Sequence, residues 1–172
     1  YYKGGIAPVK IWISDHYVRA TEGGTGEAKT GGNYAASLYA AKEAAENGYD
    51  QVLWLDAKEK KYVEEVGSMN MFFLYDGKIV TSPLRGTVLD GITRRSTLTL
   101  CKEMGYEIEE RALSVDEVME GVTSGRLKEA FGTGTAVVIS PVGSFCYKGN
   151  CVNFGNGEPG ELTMKLYKTL TD

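Results

Sequence analysis

Gly23-Gly24-Thr25-Gly26-Glu27-Ala28-Lys29-Thr30-Gly31-Gly32-Asn33-Tyr34 is the stretch on which the reading of this chain turns. Read mechanically, it comes close to a nucleotide-binding P-loop: Gly23, four residues, then Ala28-Lys29-Thr30. A strand ending at Asp56 would supply a metal-binding carboxylate to match. Two features oppose that reading. Ala28 stands where the motif needs its second glycine. Gly31-Gly32 would also break the helix that must follow a P-loop at once. The competing reading is a lysine held between glycine-rich turns. Such turns let the backbone close on a flat ligand and leave one amine aimed at it. A lysine acting as a Schiff-base nucleophile must be partly neutral, so it needs a confined, desolvating pocket. A solvent-exposed loop lysine is the plain alternative, and spacing alone does not displace it.

Working outward, three further segments carry chemistry-bearing residues. In Glu64-Glu65-Val66-Gly67-Ser68-Met69-Asn70, strand alternation is expected to send the two glutamates to opposite faces, one of them inward. A buried carboxylate needs a charged or protonated partner, and a pyridinium nitrogen would serve. Gly91-Ile92-Thr93 opens a helix, where free N–H groups form an anion site. An ordinary helix cap is the competing reading. Gly132-Thr133-Gly134-Thr135-Ala136 reads as a tight turn between strands, with hydroxyls able to meet phosphate or carboxylate oxygens.

Between these segments the pattern alternates helix and strand. Strands are expected at Val9–Ile13, Gln51–Leu55, Lys61–Glu65, Met69–Tyr75, Lys78–Thr81, Tyr106–Ala112, Ala136–Ser140, Ser144–Tyr147 and Cys151–Phe154. Helices are expected at Asn33–Asn47, Thr93–Met104, from Ser114 to about Ser124, and at Glu158–Leu170 with Pro159 in the first turn. Ser114 and Glu117 form a capping box. The class is α/β (α+β), a barrel-like mixed sheet with surrounding helices.

Composition sets the limits. The 172 residues suit one domain with a real core. A net charge of -4, from 19 basic and 23 acidic residues, argues against a nucleic-acid partner. No apolar run approaches the ~20 residues of a membrane span, so no membrane partner is expected. The start, Tyr1-Tyr2-Lys3-Gly4-Gly5, has no signal-peptide pattern and no initiating Met, which reads as a piece of a longer parent. One histidine, His16, leaves too few soft ligands for a zinc site, so no metal is expected. Cys146 and Cys151 flank a hairpin turn and could face each other. Without a secretion signal, two free thiols are the expectation.

Together these segments resemble the class IV, fold-type IV pyridoxal-phosphate enzymes, and among them the branched-chain amino acid aminotransferases. The resemblance rests on Tyr17-Val18-Arg19-Ala20, the Gly23 to Tyr34 stretch, Gln51-Val52-Leu53-Trp54-Leu55, Glu65 to Asn70, Gly91-Ile92-Thr93-Arg94, Gly132 to Ala136 and Ser140-Pro141-Val142. It implies pyridoxal 5'-phosphate as cofactor and Lys29 as the lysine that condenses with it and moves the substrate's α-proton. Tyr34 would bond the phenolic oxygen and Glu65 the ring nitrogen. Ile92, Thr93 and Thr135 would bind the phosphate, and Thr135-Ala136 the substrate carboxylate. Arg19 would lie near the cofactor in a minor role. The implied reaction is transamination of leucine, isoleucine and valine with 2-oxoglutarate, in a cytoplasmic homodimer. The family alternatives are a D-amino acid aminotransferase and an aminodeoxychorismate lyase.

The match covers the C-terminal large domain, residues 11–172, with residues 1–10 as the remnant of an interdomain connection. The small domain, which carries an arginine for the phosphate, would be missing, so the piece should be inactive or nearly so alone. Asp90 departs from a common proline, and Ser68 from a frequent threonine. Val137 and Ser140 stand where mammalian members have a redox cysteine pair.

Overall fold

The computed structural model describes residues 6–171. Thirteen elements follow in chain order: β1 (Val9–Ile13), α1 (Gly31–Glu46), β2 (Gln51–Leu55), β3 (Val63–Val66), β4 (Met69–Tyr75), β5 (Lys78–Thr81), α2 (Ile92–Glu103), β6 (Ile108–Glu110), α3 (Val115–Ser124), β7 (Leu127–Thr133), β8 (Ile139–Tyr147), β9 (Asn150–Asn153) and α4 (Glu161–Thr171). Residues 1–5, half of the expected interdomain connection, lie outside the described residues. Val9 and Lys10, at its other end, already belong to β1.

Six strands close a ring in the order β3-β2-β1-β8-β7-β4, because β3 also pairs with β4. β1 runs parallel to both its neighbours, and the other four junctions are antiparallel. β5 and β6 extend the sheet beyond β4, and β9 extends it beyond β8. Every ring strand contributes to one interior cluster: Val9, Ile11, Ile13, Leu53, Leu55, Val63, Val66, Met71, Phe73, Leu127, Ala130, Val142 and Phe145. α3 presses Val115 and Val118 into the same cluster. The outer faces take helices instead. Phe72, Leu74, Ile79 and Phe131 pack against Cys101 of α2 and against Leu162 and Leu166 of α4. Ala40 and Ala44 of α1 cover Val52 and Trp54. The expected barrel with surrounding helices is thus a closed one, and the period-2 alternation of β1 and β4 is its physical basis.

Several details depart from the sequence expectations. β7 was not foreseen as a strand, and Gly132-Thr133 was read as part of a turn. These two residues end β7, paired with Met71 and Asn70 on one side and with Ser140 and Ile139 on the other. Gly132 is small for a packing reason: a Cβ there would stand 2.9 Å from Val66 Cγ1 and 3.0 Å from Met69 Cε. Second, the two strands expected on either side of Pro141-Val142-Gly143 are one strand, β8. The register with β1 shifts there, so Gly143 is taken up as a bulge. Third, Cys146 and Cys151 are joined as a disulfide, not held as free thiols. The β8–β9 hairpin sets them directly opposite, with Cα atoms 4.0 Å apart.

Helix ends follow local chemistry. The Ser114–Glu117 capping box forms in both directions, as expected. α4 starts at Glu161, three residues later than expected, and Pro159 stays outside it. Its cap comes from a strand: the Glu129 carboxylate of β7 accepts the Leu162 N–H (3.1 Å), the Thr163 N–H (2.8 Å) and the Thr163 hydroxyl (2.7 Å). A negative charge at a helix N-terminus satisfies otherwise unpaired donors and meets the positive end of the helix dipole. Replacing Glu129 by Ala should cost about 2 kcal/mol of unfolding free energy in urea titrations. Replacing it by Gln, which still accepts hydrogen bonds, should cost less; equal losses would mean that α4 does not rely on this cap.

Candidate active site

The connection from β1 to α1 ends in a loop of turns from Thr21 to Thr30. Gly26 is buried against its neighbours: a Cβ would lie 2.6 Å from Ala20 Cβ and 2.7 Å from Thr87 Cα, so only glycine permits this approach. Asn33 locks the loop from below. Its Nδ2 donates to the carbonyls of Thr25 (2.7 Å) and Ala28 (2.9 Å), and its Oδ1 accepts the Thr25 hydroxyl (2.8 Å). Gly31 and Gly32 do not break the helix; they form its first turn, with Thr30 as N-cap. The glycine pair therefore does not prevent a helix directly after Lys29-Thr30. What separates this loop from a P-loop is its length between β1 and α1 and its docking against Thr87. Asp56 is also committed elsewhere, accepting N–H bonds from Glu59, Lys61 and Tyr62 at 2.7, 2.9 and 2.8 Å.

Lys29 sits at the mouth of a cavity of about 470 Å³. Tyr34, Ile92, Thr93, Thr135 and Ala136 line the same cavity, so six of the eight sequence-predicted site residues converge there. Lys29, Tyr34, Ile92, Thr135 and Ala136 are exposed at the rim rather than enclosed. The closed pocket expected around Lys29 is thus open on one side in this chain. The floor was only partly foreseen: Ser68, Met69, Asn70, Leu89, Thr133 and Gly134 form it, and Gln51 lies beside them. A larger groove of about 850 Å³ lies along Asp56–Glu59, Ser82 and Arg85, away from Lys29. Chemistry, not size, marks the smaller cavity as the candidate site.

Glu65 and Arg19 do not line the cavity; they stand behind Leu89. The Glu65 carboxylate accepts the Leu89 N–H at 2.8 Å and pairs with Arg19 Nε at 3.0 Å. Asn70, its cross-strand partner, donates to the Leu89 carbonyl at 2.7 Å. Leu89 is thus held from both sides, and its backbone leads through Gly91 into α2. Asn70 Oδ1 would lie 2.6 Å from a Cβ on Gly91, so the turn into α2 depends on that glycine.

The expected split of Glu64 and Glu65 does not occur. Leu53 pairs with Val66 and Leu55 with Val63, so β3 carries one residue more than β2 between the two pairings. This bulge turns Val63 and Val66 both inward and both glutamates outward. Glu64 takes the Thr87 hydroxyl at 2.7 Å, beside Glu65. Burial pushes the Glu65 carboxyl up to about 7; Arg19 and the Leu89 N–H pull it down, and Glu64 adds to the rise.

α2 has no side-chain cap at Gly91, so the first N–H groups of α2 face the cavity mouth without helical acceptors. The Thr93 hydroxyl reaches the Gly134 carbonyl at 3.1 Å, tying α2 to the Gly134–Val137 turn opposite. Thr133 is fully buried, and its hydroxyl has no hydrogen-bond partner among the described residues.

The chain belongs to the amino-transferase class IV family, whose model matches residues 2–145. Branched-chain-amino-acid aminotransferase 2 of Bacillus subtilis (strain 168) is 55% identical over 171 residues, 99% of this chain and 47% of that protein. The branched-chain-amino-acid aminotransferase of Mycobacterium tuberculosis is 51% identical over 175 residues, 99% of this chain and 48% of that protein. The Escherichia coli branched-chain amino acid aminotransferase structure superposes with a TM-score of 0.79 at 31% identity, covering 95% of this chain and 51% of that one. The Thermobaculum terrenum enzyme in its PLP holo-form gives 0.80 at 28% identity, covering 96% and 50%. The chain spans about half the length of the relatives it matches.

The Glu65 carboxyl prefers its proton in the folded state, since about 7 lies above its ordinary 4.5. Its contribution to stability is therefore fully present below pH 4.5 and is lost as pH rises through 7. Glu65→Gln should lose this dependence. The stability difference between wild type and variant should shift against wild type by up to about 3 kcal/mol across that window. Denaturant titrations every half pH unit check this, and a flat difference would refute it.

Proposed function

We propose that this chain is the cofactor-bearing large domain, residues 11–172, of a branched-chain-amino-acid aminotransferase. In the parent enzyme the proposed reaction is transamination of leucine, isoleucine and valine with 2-oxoglutarate. The carrying observation is the convergence of Lys29, Tyr34, the N-terminus of α2 and the Thr135–Ala136 turn on one cavity, with Glu65 behind Leu89. The names of the relatives favour the branched-chain reaction over the D-amino acid aminotransferase and aminodeoxychorismate lyase alternatives.

The residues present suit pyridoxal 5'-phosphate. The cavity volume is in the range of small-molecule sites. The Thr133 hydroxyl, without a hydrogen-bond partner among the described residues, and the uncapped start of α2 offer polar groups to a ligand. When bound, the cofactor supplies an electron sink for the charge that develops as the substrate's α-proton leaves. Lys29 Nζ would hold the cofactor and carry that proton. The Tyr34 hydroxyl would donate to the phenolic oxygen. Glu65, titrating near neutrality, suits a shared proton with a ring nitrogen. The N–H groups of Ile92 and Thr93, with the Thr135 hydroxyl, would bind phosphate. Thr135 and Ala136 would also orient the substrate carboxylate.

The open side of the cavity calls for the small domain of the parent, and the amino acid and 2-oxo acid substrates would bind between the two. α1 leaves Leu38 and Tyr39 exposed, an apolar face suited to a second copy in a homodimer. The resemblance to branched-chain aminotransferases is the ground on which we place the parent in the cytoplasm. No helix among the described residues is long and apolar enough to cross a membrane.

Borohydride reduction with pyridoxal phosphate, followed by peptide mapping, should label Lys29 in the full-length parent and more weakly in this chain. Lys29→Ala should abolish the label at that peptide, and transamination by the parent should fall by at least about a thousandfold. Labelling spread evenly over surface lysines in the parent would overturn the reading.

A further inference from the structure

Arg19 lies between three segments of the chain. Its Nε pairs with Glu65 Oε2 at 3.0 Å, its Nη1 donates to the Thr87 carbonyl at 2.7 Å, and its Nη2 donates to the Gly26 carbonyl at 3.2 Å. Its side chain is 9% exposed and that of Glu65 only 2%. Gly26 is three residues from Lys29 in the same loop. Thr87 is two residues from Leu89, whose N–H meets the other oxygen of Glu65. One planar cation therefore touches the lysine loop, the segment leading into α2, and the acid of the bulge. Arg19 does not line the cavity.

We propose that Arg19 is a positioning residue. Its guanidinium fork fixes the lysine-bearing loop and the 87–89 segment to β3 and draws the Glu65 carboxyl toward its ionised form, against the effect of burial beside Leu89. The consequence for the cofactor rests on the pyridoxal-phosphate reading above; the frame itself does not.

The physical case has two parts. Two carboxylates share the outer face of the bulge; Glu64 Oε1 meets only a neutral hydroxyl, that of Thr87, and its Oε2 has no hydrogen-bond partner among the described residues. Arg19 is the cation paired with Glu65, so without it two buried acids would stand side by side and one would take up a proton. The groups facing Glu65 are Arg19, Glu64 and the Leu89 N–H. The second part is geometric. A guanidinium presents its donors in a rigid plane, so three acceptors can be set in fixed relation. A lysine in its place could meet the charge but not all three acceptors. Thr87 couples the two parts, since its hydroxyl serves Glu64 while its carbonyl serves Arg19.

The test compares the 172-residue chain with Arg19→Met and Arg19→Lys, all without cofactor at first. Side-chain carboxyl ¹³C resonances of glutamate, assigned with Glu65→Gln, report the titration of Glu65. Hydrogen exchange reports the order of residues 23–30. In Arg19→Met the Glu65 titration should move up by at least about one pH unit, and exchange in 23–30 should rise about tenfold or more. Arg19→Lys should restore most of the titration and little of the protection. Pyridoxal phosphate should then bind about tenfold more weakly to Arg19→Met. If Arg19→Met keeps its circular dichroism yet leaves both titration and exchange unchanged, the proposal fails. Should Arg19→Met not fold, Arg19→Lys decides: unchanged exchange in residues 23–30 overturns the frame. If the frame responds as expected but pyridoxal phosphate never labels Lys29 in the full-length parent, Arg19 keeps this role and the cofactor reading alone falls.

Discussion

One extra residue in β3 sets the geometry on which the site depends. Between the Leu53–Val66 and Leu55–Val63 pairings, two glutamates occupy the space of one residue on the neighbouring strand. In a regular strand, one acid would have entered an interior lined by Leu53, Met71, Phe73 and Phe145. Burying a carboxylate there without a partner would cost several kcal/mol. The bulge avoids this and moves both acids to the outer face. From there Glu65 reaches the Leu89 N–H, while its neighbour Asn70 takes the Leu89 carbonyl. The backbone leading into α2 is consequently referenced to the barrel wall itself.

The electrostatics of the outer face follow from that placement. Two acids, one arginine and little water make a carboxyl that titrates near neutrality. Glycine completes the arrangement at two contacts. Gly26 lets the lysine loop lie against Thr87, and Gly91 lets the start of α2 lie against Asn70. At both points a methyl group would stand well inside van der Waals contact, so the loops could not close onto the barrel. The cavity is thus a gap between a rigid wall and two loops pinned to it. Its rim residues, Lys29, Tyr34 and Ile92, remain exposed in a chain half the length of its relatives.

Much of this was legible beforehand. β1, β2, β4 and β5 announce themselves by their apolar patterns, and the Ser114–Glu117 box marks the start of α3. The order of motifs from Arg19 to Ala136 points to the family, and six of its residues meet at one cavity. Other features were hidden for identifiable reasons. β7 carries Lys128 and Glu129 and ends in Gly132-Thr133, so its local pattern suggests a turn; only pairing on both sides makes it a strand. Leu89 has no chemical signature of its own and joins the cavity wall through its neighbours Glu65 and Asn70. The Cys146–Cys151 pairing depends on the register of β9 against β8.

The amino-acid sequence alone determined the kinds of element, the presence of a glycine-held lysine and the family to which these motifs belong. Those properties are local, written in periodicity, turn residues and short motifs. Tertiary structure alone decided that both glutamates face outward, that Arg19 meets Glu65, Thr87 and Gly26 at once, and that α4 is capped from a strand. Each of these depends on register or on contacts between residues dozens of positions apart. A pattern read along the chain carries no information about which residue of one strand stands opposite which residue of another.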